Sequence, residues 1–244
     1  MQRQQSVTVQ TVAGVLAASD RAPDGTRVWF HEEPWLRAAV RDSDHTLYRA
    51  ERDVLPPRRG SAEWRLDRVR YPAGDLPSGE LNRSTGHWNP AEQWEVFQVD
   101  AGEVVIVVRE PGADRPTELV RCGPGSVLAL PPGSWHLTYV WRDPAVVTNA
   151  YSVTPEHADP AAKYFSRGPL RCGLRRNGSG VLVFRDPADP AQDCGEPVWR
   201  CAEERAGADP GFPPLEEVFA ADPDGQLLAR LEDSCARLEQ RIGR

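Results

Sequence analysis

Gly86-His87-Trp88-Asn89-Pro90-Ala91-Glu92-Gln93-Trp94-Glu95-Val96-Phe97 is answered about forty residues later by Pro131-Pro132-Gly133-Ser134-Trp135-His136. Between them lie Gly102, an apolar run over residues 104–108 and the turn-rich Gly123-Pro124-Gly125. Two imidazoles, a carboxylate and an amide thus come from segments that otherwise read as consecutive short strands. Borderline and hard divalent metals take such nitrogen and oxygen ligands. The candidate metal ligands are His87, Asn89, Glu95 and His136, with Glu92 able to replace Asn89 if its loop bends inward. His31 and His45 sit in no such motif and read as surface or core histidines.

Outward from this pair, residues 64–71 alternate apolar and polar, as a sheet with one face in the core requires. Further strands are expected near 79–84, 94–99, 103–109, 117–122, 126–130, 136–142 and 146–153. Gly, Pro and Asp punctuate them at Pro111-Gly112, Gly123-Pro124-Gly125 and Arg142-Asp143-Pro144. Many short strands so spaced predict an all-β jelly-roll or barrel. Residues 1–25 read as a loose or helical lead-in, and 32–40 have helical spacing. After Lys163 a hairpin is expected from 170–175 and 181–185 around Asn177-Gly178-Ser179-Gly180, then a strand near 198–202. Leu227, Leu228, Leu231, Cys235, Leu238 and Ile242 form one helical stripe after Asp224-Gly225, expected to pack on the chain's own barrel. This divides the chain into a lead-in (1–40), a barrel with the metal site (41–165) and a C-terminal hairpin and helix (166–244).

The 244 residues are 40% hydrophobic and 27% charged, ordinary for a soluble globular protein large enough to bury a substantial core. A net charge of -7 argues against a nucleic-acid partner, and requires any bound phosphate to have local arginines or backbone amides. No stretch approaches the roughly 20 apolar residues that span a bilayer, and no signal peptide is evident. Five cysteines without Cys-x-x-Cys spacing read as free thiols, so a cytoplasmic location is expected.

The motif pair resembles the cupin superfamily and, within it, the cupin-type glucose-6-phosphate isomerases, over roughly residues 40–165. Gly102 follows Glu95 by seven residues, as that family's first motif requires. Pro131-Pro132 with His136 match its second motif, and Tyr151 with His157 six residues on match its downstream pair. Asn89 stands where the family has a second metal-binding His, Phe97 where it has a Tyr, and Gly133 where it has an aromatic residue. The resemblance implies one divalent ion (Fe, Mn, Ni or Zn) and aldose–ketose isomerisation of a sugar phosphate through a cis-enediol, a step of glycolysis or gluconeogenesis. It also implies a homodimer. Glu95 would be the base and then acid, His157 would handle the hydroxyl proton, and Tyr151 would contact substrate. Ser84, Thr85 and Gly86 fall where the family holds phosphate. Arg68 and Arg83 flank the expected barrel mouth and suit bidentate phosphate binding, and strand alternation sets Arg68 and Arg70 opposite Val69. Two other classes stay open: another metallocupin, such as an oxygenase or epimerase using His87, Glu95 and His136 alone, and a non-catalytic sugar-binding cupin.

Overall fold

The computed structural model describes residues 6–11, 13–14, 45–76, 79–112, 115–154, 172–177, 180–185, 195–205, 212–220 and 225–242. The strands are β1 (Ser6–Thr11), β2 (Thr46–Arg52), β3 (Arg58–Arg59), β4 (Glu63–Tyr71), β5 (His87–Trp88) and β6 (Glu95–Arg109). They continue with β7 (Glu118–Cys122), β8 (Val127–Leu130), β9 (Trp135–Ser152), β10 (Cys172–Asn177), β11 (Gly180–Arg185) and β12 (Val198–Cys201). Two helices follow, α1 (Leu215–Ala220) and α2 (Gln226–Ile242). A ten-stranded sheet runs β1-β2-β4-β9-β6-β7-β12, with β3 on β4, β5 on β9 and β8 on β6, while β10 and β11 form a separate hairpin. This curled, mostly antiparallel sheet has the all-β, jelly-roll character expected from the sequence.

Four strands expected as separate pieces are two long ones. β6 and β9 pair along nearly their whole lengths, from Glu95 opposite Tyr151 to Arg109 opposite Trp135, with register shifts between Val99 and Val104. The punctuation at Gly102 and Asp143-Pro144 makes a bulged corner instead of a break. Gly102 has φ 73°, and a Cβ there would lie 2.6 Å from the Pro144 carbonyl oxygen and 2.8 Å from Ala145 Cα. Only glycine lets the two backbones close to that distance.

The extra residues in the corner reverse which positions face inward. Phe97 and Val99 share the interior cluster with Val104, Ile106 and Val108, and Val140 shares it with Ala145 and Val147. Each outer face is also covered. Val96 and Ala150 pack under Leu215, Val218 and Phe219 of α1 and Leu228, Leu231, Cys235 and Leu238 of α2. Val105, Val107, Leu137 and Tyr139 pack under Leu81 and Leu174. Burial on both faces explains the unbroken apolar run at 104–108.

α2 is tied down by one carboxylate. Glu232 accepts hydrogen bonds from the Ser61 backbone N–H (2.9 Å) and hydroxyl (2.8 Å) and from the Trp64 indole N–H (3.0 Å). Burial alone would raise its pKa, but these bonds outweigh it and hold the value below the usual carboxylate range.

Ser6–Thr11 is a strand paired to β2 where the sequence reads as loose or helical. Its Val7 and Val9 are 49% and 54% exposed, so its alternation marks no core face. Residues 13–14 are helical, and the helix expected at 32–40 lies outside the described residues. The stretch 79–84 holds isolated bridges, Glu80 to Arg175 and Arg83 to Tyr139, instead of a regular strand. Among the described residues Cys122, Cys201 and Cys235 are free thiols, and burial pushes those of Cys122 and Cys235 up to about 12. No helix among the described residues is long and apolar enough to cross a membrane.

Gly102→Ala is expected to lower stability by about 3 kcal/mol or more, because backbone must move to admit the methyl group; chemical denaturation measures it. Glu232→Gln should cost about 2 kcal/mol near neutral pH. With a lowered folded pKa, the Glu232 contribution is present above the unfolded value and is lost as pH falls through the folded one. The difference between wild type and variant should therefore shrink in melts taken in acid.

Candidate metal centre

β5 is only two residues long, yet its register decides the site. His87 lies opposite His136 and Trp88 opposite Trp135. Trp88 and Trp135 join the outer cluster, so alternation turns both imidazoles to the inner face. The two motifs are knitted by backbone bonds from Asn89 N–H to the Ser134 carbonyl (2.7 Å) and from Gly133 N–H to the Pro90 carbonyl (3.2 Å). Gly86 enters β5 at φ 71°, where a Cβ would lie 3.0 Å from the Trp135 ring and 3.2 Å from the His136 carbonyl oxygen.

Glu95 opens β6 and completes the group. Its Oε2 is 3.3 Å from His136 Nε2 and 3.7 Å from His87 Nε2. The two imidazoles meet edge to face at 4.3 Å, and Phe97 edges onto His136 at 5.2 Å. One ligand atom from each of His87, Glu95 and His136 lies within 4.8 Å of the others. A divalent ion bonded at about 2.0–2.2 Å holds adjacent ligands roughly 3.0–3.5 Å apart. The trio therefore fits an ion with little movement. Glu95 Oε2 accepts no hydrogen bond among the described residues, as a carboxylate oxygen reserved for a cation would.

The other oxygen is fixed. Asn149 Nδ2 donates to Glu95 Oε1 at 2.8 Å, which turns Oε2 toward the imidazoles. Asn149 was not apparent from sequence, because its partner is 54 residues away and no motif marks it.

A cavity of about 400 Å³ opens over the group. Ser84, Thr85, Gly86, His87, Glu95, His136 and Tyr151 all line it. Burial first, then the Asp67 and Asp53 charges, raise the Tyr151 pKa well above its usual value, so the phenol keeps its proton. Arg68 and Arg83 do not line the cavity. Arg68 is on the outer face of β4, paired with Glu216 of α1, in a second groove. Arg83 is 3% exposed, with Nε 3.0 Å from Glu80 Oε1, which also accepts the Tyr139 hydroxyl at 2.6 Å. Asn89 is buried with neither amide atom hydrogen-bonded among the described residues, and it does not line the cavity. Glu92 is exposed on the connecting turn, and His157 lies outside the described residues. Arg52, Asp53 and Arg65, unmarked by any motif, line the wall instead.

Asn149→Ala should weaken metal binding about tenfold or more by freeing the Glu95 carboxylate, as loss of a partner that orients a ligand does elsewhere. Metal titration of the folded variant measures this.

No family model matches the sequence, and no curated protein matches it. Solved structures similar to it include a mutant of Bacillus subtilis oxalate decarboxylase, at 14% identity over 48% of this chain and 28% of that one, TM-score 0.35. A sugar phosphate isomerase from a cupin superfamily of Silicibacter pomeroyi matches at 18% identity over 59% and 79%, TM-score 0.33. A DMSP lyase of Ruegeria pomeroyi matches at 22% identity over 41% and 42%, TM-score 0.30. The chain thus spans less than a third of the decarboxylase and under half of the lyase.

Proposed function

We propose that this chain is a mononuclear metal-dependent isomerase interconverting an aldose and a ketose sugar phosphate, in the manner of a glucose-6-phosphate isomerase. The supporting observation is Glu95: one carboxylate oxygen faces two imidazoles, the other is held by Asn149, and both lie at the base of an open cavity. The donor set fits a divalent ion held by His87, Glu95 and His136, which when bound supplies Lewis-acid polarisation of adjacent substrate oxygens. Glu95 is then the group within reach of the proton moved between neighbouring carbons, taking it as base and returning it as acid. Tyr151, opposite Glu95 across the β6–β9 ladder, keeps a neutral hydroxyl to orient a substrate oxygen. Phe97 shields the His136 edge from water. Ser84, whose Oγ accepts the Thr138 N–H at 3.0 Å and whose hydroxyl also meets the Tyr71 phenol, lines the cavity with Thr85 and Gly86, where the phosphate would bind. The protein is read as a cytoplasmic homodimer.

One observation favours a second reading. Asn89 stays away from the cavity, which leaves a two-His, one-carboxylate face of the type ferrous oxygenases use. Elemental analysis of protein purified without chelator should give about one ion per chain, lost in His136→Ala. Fructose 6-phosphate should then be converted to glucose 6-phosphate. Bound iron with dioxygen uptake and no isomerisation would favour the second reading, and absence of metal would leave a non-catalytic sugar-binding cupin.

A further inference from the structure

The cavity wall opposite the metal ligands carries its own charged cluster. Arg65 lies opposite Tyr151 on β9, and Tyr151 lies opposite Glu95 on β6, so the three form a row across neighbouring strands. Strand spacing of about 4.8 Å puts Arg65 roughly 9–10 Å from Glu95 on the same inner face. That is the scale of a short carbon chain. Asp53 stands beside Arg65 in a left-handed conformation, φ 51°. It is held there by its own N–H donating to Asp67 Oδ1 at 2.9 Å, while Asp67 Oδ2 sits 2.5 Å from Arg52 Nη1. A non-glycine residue kept in that region by a fully buried carboxylate is a positioned group.

The charges on this wall are already balanced. Arg52 has Asp67, while Arg65 has Glu63 at 3.3 Å and Asp53 at 3.8 Å. Two guanidiniums facing three carboxylates leave no surplus positive charge to hold an anion. The Arg65–Asp53 separation of 3.8 Å is an ion pair longer than a hydrogen bond, and an oxygen seated beside the pair, on its cavity side, lies within about 2.8 Å of both atoms. A hydroxyl seated there accepts from Arg65 Nη1 and donates to Asp53 Oδ2. An ionised phosphate or carboxylate oxygen accepts but does not donate, and its negative charge would face Asp53.

We propose that the Asp53–Arg65 pair is a hydroxyl-recognition subsite, which makes the substrate a polyhydroxylated chain whose anionic group, where present, binds elsewhere in the cavity. Which end of that chain reacts rests on the metal-site reading above. Asp67, with Arg52, positions the pair.

The test is calorimetric titration of the full chain, with and without added Mn²⁺, using D-glucitol and inorganic phosphate as separate probes. Asp53→Gly tolerates the backbone conformation and keeps the N–H to Asp67, so the variant should melt cooperatively like wild type. It should weaken glucitol about tenfold to a hundredfold, the loss of a hydrogen bond to a charged group. Asp53→Asn, which keeps an oxygen acceptor, should lose less. Metal uptake and phosphate binding should be unchanged in both. Glucitol affinity unaffected by Asp53→Gly, or no glucitol binding by wild type, overturns the subsite. So does phosphate binding that tightens when Asp53 is neutralised, which would mark an anion site. A wild type that takes up no metal yet binds glucitol through Asp53 would overturn the metal reading alone and support the subsite.

Discussion

The pairing of β6 with β9 through a shared bulged corner is the constraint on which the rest of the structure depends. Two strands of 15 and 18 residues carry the interior and outer clusters together, and their register sets Glu95 opposite Tyr151 and Val108 opposite His136. A slip of one residue would exchange the two faces of each strand and send Glu95 outward. The close approach at Gly102 is therefore a register device as well as a bend. Because the corner changes which parity faces inward, His136 and Asn149 reach the same cavity although one is even-numbered and the other odd.

Buried polar groups serve the irregular parts of the fold. The stretch from 79 to 84 has only isolated bridges, yet Leu81 caps the outer cluster. The Glu80–Arg83 ion pair and the Tyr139 hydroxyl anchor it where a ladder does not. Such a pair contributes little net stability over an apolar substitute, since desolvation offsets its attraction. Its effect is to hold one arrangement of a segment that leads directly into Ser84, Thr85 and Gly86. The Arg52–Asp67 pair does the same for the end of β2 and for Asp53.

Much of this was legible in the sequence where chemistry and spacing coincide. His87, Glu95 and His136 stood in motifs whose prolines and glycines forced particular turns, and the three side chains converge. The apolar run at 104–108 announced a strand covered on both sides, and the stripe from Leu227 to Leu238 announced a packed helix. Alternation correctly set Arg68 and Arg70 on one face of β4 but did not say which face was inner. Trp64 and Leu66 pack under the helices, so the even-numbered positions look outward and Arg65 looks in. Asn149, Asp53 and Arg52 were silent because their roles depend on partners brought together by long-range pairing. Strand continuity was hidden for a related reason: glycine and Asp-Pro signal turns locally, and only the opposing bulges turn them into a corner.

Glu232 lends the terminal helix a reach beyond its own contacts. The backbone it grips at Ser61 and Ala62 leads straight into β4, and two residues past that strand's first position comes Arg65. α2 thus braces one jamb of the cavity's doorway from the far side of the sheet. Anything that loosens the helix, from acid to a crowded neighbour, would be felt as play in the wall that meets a ligand.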